Sequence, residues 1–291
     1  MNQSPHREHL PASIQQLLLL VEENKGNMDP GKAKELVLQA RITFEDVAPW
    51  ADFSHSLMDS YGRKLIYQGD CFELMLMSWV PGDVSAIHDH GTAQWGAVKS
   101  FGEAEHAVFV QEGKILRTCS RQAFPAGSVN AVTHDLIHQM GNVEATPFCS
   151  LHLYGTYDSQ PTVTGDARIF DLWEKRIQYT DGGVFFCLPE SQISHRGNEV
   201  YADYPTTLRH HAEMLKRIIR LLPCCNNTEV YQQKARMLCT ELATLRERLP
   251  QEKARLSRGK GQSKDEEAWQ LLLCEASVAE SVLAEAHPLL L

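Results

Sequence analysis

The chain has 291 residues, of which 43% are hydrophobic and 22% charged, with a net charge of −9. That is the make-up of a folded globular protein with one large domain or a domain plus an extension, and the acidic balance argues against a nucleic-acid binder, which carries a basic face. No apolar run approaches the roughly 20 residues that span a bilayer, and MNQSPHREHL at the N-terminus lacks the apolar core of a signal peptide.

Residues 12–59 read as helices. Ser13 to Val21 carries a dense apolar stripe, Asp29-Pro30 is a helix start followed by Ala33 to Ala40, and Glu45 to Met58 is expected as a third helix interrupted near Pro49. From about residue 63 short β-rich runs alternate with turn signals: Lys64–Gln68, Phe72–Trp79, Gln94–Lys99, His106–Gln111, Ile115–Ser120, Ser128–Val132 and Phe148–Tyr154. Such spacing predicts an antiparallel sandwich or barrel. Arg168 to Leu188 adds two strands around Asp181-Gly182-Gly183. After Pro205 the pattern turns helical again over Thr207–Leu222, Thr228–Leu249 and Asp265–Ala286, with Pro223 and Pro250 ending the first two and Ser257–Ser263 as a linker. The expected division is N-terminal helices over 1–60, a barrel over 61–190 and a helical extension over 205–291. The basic stretch Lys253 to Lys264 is followed at once by acidic residues and reads as a solvated linker. Eight scattered cysteines without a C-x-x-C pair read as reduced thiols of a cytoplasmic protein.

Three sequence features carry chemistry. The first is His88-Asp89-His90 after the turn Pro81-Gly82. On a strand, residues i and i+2 face the same way, with Cβ atoms about 6–7 Å apart, so two imidazoles converge on one metal. The alternative is a structural pair. The second is Ser150-Leu151-His152-Leu153-Tyr154, where period 2 aligns Ser150, His152 and Tyr154 on one face. They form either a hydrogen-bonded relay ending on the Tyr154 hydroxyl or a solvent-facing strand edge. No G-x-S-x-G elbow supports a serine hydrolase. The third is Tyr61-Gly62-Arg63: a guanidinium pairs with a carboxylate through two parallel hydrogen bonds, but a lone arginine is also an ordinary surface charge.

Together these residues resemble the cysteine dioxygenase family, a branch of the cupin superfamily. Gly82, His88-x-His90 and Gly102 match the first cupin motif, and His138-x-x-x-Asn142 the end of the second. The likeness implies a mainly β fold: a cupin-type antiparallel β-barrel with N-terminal helices, here followed by the helical extension. It implies Fe(II) held by His88, His90 and His138, an outer triad of Ser150, His152 and Tyr154, and Arg63 with nearby Tyr61 on the substrate carboxylate. The implied activity adds both atoms of dioxygen to the sulfur of cysteine; the alternatives are 3-mercaptopropionate or cysteamine as substrate, a zinc- or nickel-loaded isomerase-type cupin, or a ligand-sensing cupin without activity. The expected partners are a small thiol and dioxygen, with no nucleic acid and no membrane.

Two departures stand out. The gap from Gly127 to His138 is long for the second motif, which keeps His134 as an alternative third ligand. Trp95 stands where cupins usually carry a glutamate ligand and where the animal enzymes carry a cysteine cross-linked to the triad tyrosine, so the expected ligand set is three neutral histidines.

Overall fold

The computed structural model describes residues 7–160, 162–224, 228–257 and 263–290; most of the expected 257–263 linker lies outside them. Two units are distinguished, one comprising Met1–Val108, Gln122–Ile169 and Gln178–Gly197, the other Phe109–Arg121, Phe170–Ile177 and Asn198–Leu291.

The first unit begins with helices that exist to cover a sheet. In α1 (Ala12–Glu23) Ile14, Leu17, Leu18 and Val21 recur at helical spacing and are buried. Helix α2 (Pro30–Ala40) starts where proline and cap agree: the Asp29 side chain accepts from the Lys32 amide at 2.8 Å, and Pro30 occupies a first-turn position that needs no donor. The long third helix does not form. Only α3 (Phe44–Val47) and a 3₁₀ turn at Ala48–Trp50 are helical. Pro49 withholds a donor, and the polar groups beyond it bond elsewhere: Asp52 N–H to Ser78 Oγ at 2.9 Å, His55 Nε2 to Asp83 Oδ2 at 3.2 Å.

Among the described residues twelve strands follow: β1 (Gly62–Gln68), β2 (Phe72–Trp79), β3 (Trp95–Ser100), β4 (Ala104–Glu112), β5 (Ile115–Phe124), β6 (Val129–Thr133), β7 (Ile137–Gly141), β8 (Phe148–Gly155), β9 (Ala167–Asp171), β10 (Arg176–Thr180), β11 (His195–Glu199) and β12 (Tyr201–Ala202). The chain thus adopts the mainly β, cupin-type architecture with helices at both ends that its sequence implied. The principal sheet has the order β1-β2-β8-β3-β6, and its four strand pairs are all antiparallel. Two expectations are corrected. The strands β9 and β10 turn around Trp173–Lys175, ahead of Asp181-Gly182-Gly183, because Asp171 Oδ1 accepts from the amides of both Trp173 and Glu174 at 2.9 Å and closes the turn there. Strand β7 was not foreseen at all; five buried residues of mixed polarity show no alternation.

Register decides what each sheet face does. Leu74 and Leu76 of β2, Leu151 and Leu153 of β8, and Trp95 and Ala97 of β3 join Ile14, Leu17, Leu18, Leu36 and Val37 in one apolar cluster. Each such side chain removed from water contributes roughly 1.5–3 kcal/mol. The opposite face carries three cross-strand rows: Met77–Ser150–Ser100, Met75–His152–Val98 and Glu73–Tyr154–Gly96. With one face under helices and the other lining a cavity, all residues of β2 and β8 are buried, which allows polar side chains inside only where they find partners.

In the second unit β12 pairs parallel to β5 at Tyr201↔Ile115 and Ala202↔Leu116, and the chain then enters α4 (Tyr204–Leu221), capped by Asp203, whose carboxylate accepts from the Thr206 amide. Helices α5 (Thr228–Ser257) and α6 (Ser263–Leu290) pack against it and against each other. Pro250 was expected to end α5, yet the helix continues through it: Pro250 and Arg246 are exposed, so water satisfies the carbonyl that loses its N–H partner. A buried ionic cluster joins the unit: Glu275 accepts from Arg121 Nε at 2.9 Å and Arg209 Nη1 at 3.1 Å. Burial pushes its carboxyl pKa up while the two guanidinium groups pull it down. No described helix is long and apolar enough to cross a membrane.

Candidate metal centre and hydrogen-bond relay

His88 and His90 were expected on a strand. They lie instead on an irregular extended segment tied down at single β-bridges, His88 to His138 and His88 to Ile169. The intervening Asp89 explains the irregularity. Its carboxylate turns back to accept from the amides of Gly91 at 3.1 Å and Arg168 at 2.8 Å, and it pairs with Arg168 Nε at 2.5 Å. Gly91 holds φ +55°, and a Cβ there would sit 1.9 Å from the Gly165 carbonyl oxygen, so the chain leaves His90 through a turn only glycine fits.

This scaffold brings His88, His90 and His138 together. One ring nitrogen from each lies within 4.8 Å of the others, and all three residues are buried. His88 donates Nδ1–H to the Ala86 carbonyl at 2.8 Å, which leaves its Nε2 as an acceptor. Nε2 of His90 and Nε2 of His138 face each other at 3.1 Å. Two imidazole nitrogens each about 2.0–2.1 Å from one metal, at right angles, stand about 3 Å apart, so this spacing fits a shared ion. The chemistry of the set also fits. Burial lowers the His88 pKa to about 4 and those of His90 and His138 well below the usual value, with the neighbouring imidazoles adding to the effect, so all three present neutral lone pairs at pH 7. The other candidate, His134, is exposed at the β6–β7 turn, where its Nδ1 contacts the Ala93 carbonyl at 2.8 Å.

Trp95 does not occupy the ligand position its spacing suggested. It points into the apolar cluster under the helices. The β3 residue opposite the triad is Gly96, in register with Tyr154, and a Cβ there would lie 2.7 Å from the tyrosine ring. Neither residue offers a carboxylate or a thiol, so β3 adds no charged ligand and no cross-link partner.

The triad strand faces the same cavity, which His152 and Tyr154 line. Its hydrogen bonds form a chain. The Trp79 indole N–H, a donor only, gives to Ser150 Oγ at 2.8 Å. With one lone pair of Ser150 Oγ taken by Trp79, the arrangement favours Ser150 as donor to His152 Nε2 at 2.7 Å and, in the Nδ1–H tautomer, His152 as donor to the Tyr154 oxygen at 2.8 Å. In that tautomer the phenol proton of Tyr154 points onward, and the ring lies 4.8 Å from that of His90. Burial lowers the His152 pKa to about 3 and raises that of Tyr154, so the relay is neutral and the tyrosine stays protonated.

Arg63 and Tyr61 line the cavity as well. Among the described residues Arg63 makes no ion pair. The Tyr61 oxygen accepts from the Val184 amide at 3.2 Å and its ring stacks on Trp79, centroids 4.6 Å apart; burial pushes its pKa up to about 12. Sequence reasoning missed Trp79, the Asp89–Arg168 pair and His106, whose Nε2 meets His138 Nδ1 at 2.9 Å. Trp79 sits at an inward position of an alternating strand, a signal present in the sequence; His106 had none, since nothing local distinguishes it from a core histidine.

Comparison with known proteins bears on this arrangement. Residues 11–162, just over half of the chain, match the family described as cysteine dioxygenase type I. Among solved structures the chain is similar to an uncharacterised double-stranded beta-helix protein from Klebsiella pneumoniae (18% identity, 41% of this chain and 93% of that one, TM-score 0.31). It is also similar to a protein from Thermus thermophilus (15%, 40% and 98%, TM-score 0.32) and an oxalate oxidase in complex with glycolate (15%, 38% and 57%, TM-score 0.31). Similarity at that level carries no argument about activity.

Proposed function

Because the chain belongs to the cysteine dioxygenase type I family, we propose that it is a non-haem iron thiol dioxygenase whose substrate is L-cysteine, converted with dioxygen into cysteine sulfinic acid. The stoichiometry closes without a further reductant: R–SH + O₂ gives R–SO₂H, with the S–H bond broken, both oxygen atoms on sulfur and the proton kept on the product. Fe(II) held by His88, His90 and His138 would supply the binding of thiolate and dioxygen, its charge uncompensated by any carboxylate ligand.

The protein's own groups would do the rest. Arg63, which makes no close ion pair among the described residues although the buried Glu73 carboxyl feels its charge, binds the substrate carboxylate through its planar fork. Tyr61, whose oxygen is already an acceptor, keeps a proton to donate to the same carboxylate. Trp79, Ser150 and His152 hold the Tyr154 O–H aimed at the reacting oxygen atoms. Met75, Met77 and Met140 supply an apolar, polarisable wall that keeps bulk water out.

The observation that carries this reading is that the three-histidine cluster and Arg63, which makes no close ion pair among the described residues, line one cavity. Cysteamine, which lacks a carboxylate, leaves Arg63 unused. The seven described cysteines are free thiols, which suits a reducing cytoplasm and a role in cysteine breakdown. The acidic balance of the chain suits small-molecule partners in preference to nucleic acid or anionic membranes. An oxygen electrode with iron-loaded protein tests the proposal: uptake with cysteine well above that with cysteamine is expected, and no uptake with any small thiol would overturn it.

A further inference from the structure

The third histidine of the cluster has an imidazole behind it. His106 on β4 is buried, its Nε2 lies 2.9 Å from His138 Nδ1, and the two ring centroids are 5.1 Å apart. His88 is oriented differently, by a backbone carbonyl, and His90 Nδ1 has no hydrogen-bond partner among the described residues. Among the described residues His138 is therefore the one member of the cluster whose outer nitrogen, Nδ1, meets another side chain. Neutral imidazole carries one N–H, so the two nitrogens of His138 are coupled. If His106 donates to Nδ1, the proton of His138 sits on Nε2 and faces His90, and the cluster cannot close on an ion. If His106 accepts from Nδ1–H, Nε2 is a lone pair beside that of His90.

We propose that His106 is a positioning residue that accepts Nδ1–H from His138, fixes the ligating tautomer of that histidine, and does so without bringing a negative charge to the site. This rests on the metal-site reading above. A metal-bound histidine usually donates its outer N–H to a carboxylate, carbonyl or water, and losing such a partner costs 10–100-fold in affinity. A carboxylate there would strengthen His138 as a donor and offset part of the metal charge. Neutral His106 orients His138 and leaves that charge for an anionic substrate.

The test uses the full chain, metal-free, titrated with Co(II) against a chromophoric chelator. His106→Leu should weaken Co(II) binding about 10–100-fold, while His106→Gln, whose Oε1 can accept from Nδ1–H, should recover most of the loss. Equal weakening by both, with the same shift in metal-free melting temperature, would mean that the position only packs, and would overturn the proposal; so would unchanged affinity in the leucine variant. If that variant fails to fold, His106→Glu decides: binding at least as tight as wild type is expected, together with a raised KM for cysteine, and weaker binding overturns the inference. His88→Ala separates the two levels of the argument. Wild-type protein that binds Co(II) no better than His88→Ala removes the metal site itself, whereas tight wild-type binding lost in His88→Ala but indifferent to position 106 removes only the role of His106.

Discussion

Trp79→Phe is the perturbation that reads the relay most directly. The indole N–H is a donor and nothing else, and its 2.8 Å bond to Ser150 Oγ occupies one lone pair of that oxygen, which favours Ser150 as donor to His152 and His152 as donor to Tyr154. Phenylalanine preserves the aromatic contact with Tyr61, 4.6 Å between centroids, and with Phe148, 6.1 Å, but removes the donor. A net hydrogen bond is worth about 0.5–1.5 kcal/mol, which corresponds to roughly 2- to 12-fold in rate. Tyr154→Phe removes the oriented donor itself and should cost on the order of 10²-fold in kcat. The smaller ring also loosens packing, so the single substitution cannot separate the two effects; a double-mutant cycle can. Packing loss does not depend on the hydroxyl at 154, whereas relay loss does. With oxygen uptake at saturating cysteine as the assay, Trp79→Phe should lower kcat in the wild-type background and have almost no effect once Tyr154 is Phe. Full additivity of the two substitutions would refute the directed relay.

Arg63→Ala should raise the KM for cysteine by roughly 10- to 150-fold, the equivalent of 1.5–3 kcal/mol for a charge-assisted bond, and leave the cysteamine KM nearly unchanged; similar effects on both thiols would remove the carboxylate role. His88→Ala, His90→Ala and His138→Ala should each abolish stoichiometric iron, read by elemental analysis, and chelation of the wild type should lower its melting temperature, by about 2.7 kcal/mol of stability for metal at 100 times Kd. Stability should fall on both sides of a maximum in pH. Bonding to Asp83 raises the His55 pKa above its usual 6.5, so that pair stabilises fully below pH 6.5 and its contribution is lost as pH rises through the folded value. Burial holds His152, His210 and His211 at about 3, 4 and 3, so between about pH 6.5 and 4 the unfolded chain binds more protons and acid destabilises the fold. Thermal melts of His55→Gln should lose the alkaline slope only; a changed acid slope would contradict the assignment. In the second unit, Glu275→Gln removes one of the two buried carboxylates that pair with Arg121 and Arg209 and leaves Glu213 as their remaining counter-charge, so it should cost less than the roughly 3–5 kcal/mol of a buried pair broken outright, read in denaturant titrations.

The sequence by itself determined the faces of β8. Alternation put Ser150, His152 and Tyr154 on one side and Leu151 and Leu153 on the other, and the rise per residue leaves no other arrangement in a strand. It likewise determined α1 and α2, because their apolar spacing and the Asp29-Pro30 start are local properties. It brought His88, His90 and His138 forward through motif spacing, although 48 residues separate His90 from its 3.1 Å neighbour. Tertiary structure alone decided the rest. Strand β7 has no local pattern, since it is buried on every side. Whether position 95 or 96 faces the triad depends on the β3–β8 register, and a one-residue shift exchanges the two faces. His106 and Trp79 acquire their roles only when distant strands set them against His138 and Ser150. A hydrogen bond of a given sense needs both partners in place, and chain order does not encode that proximity.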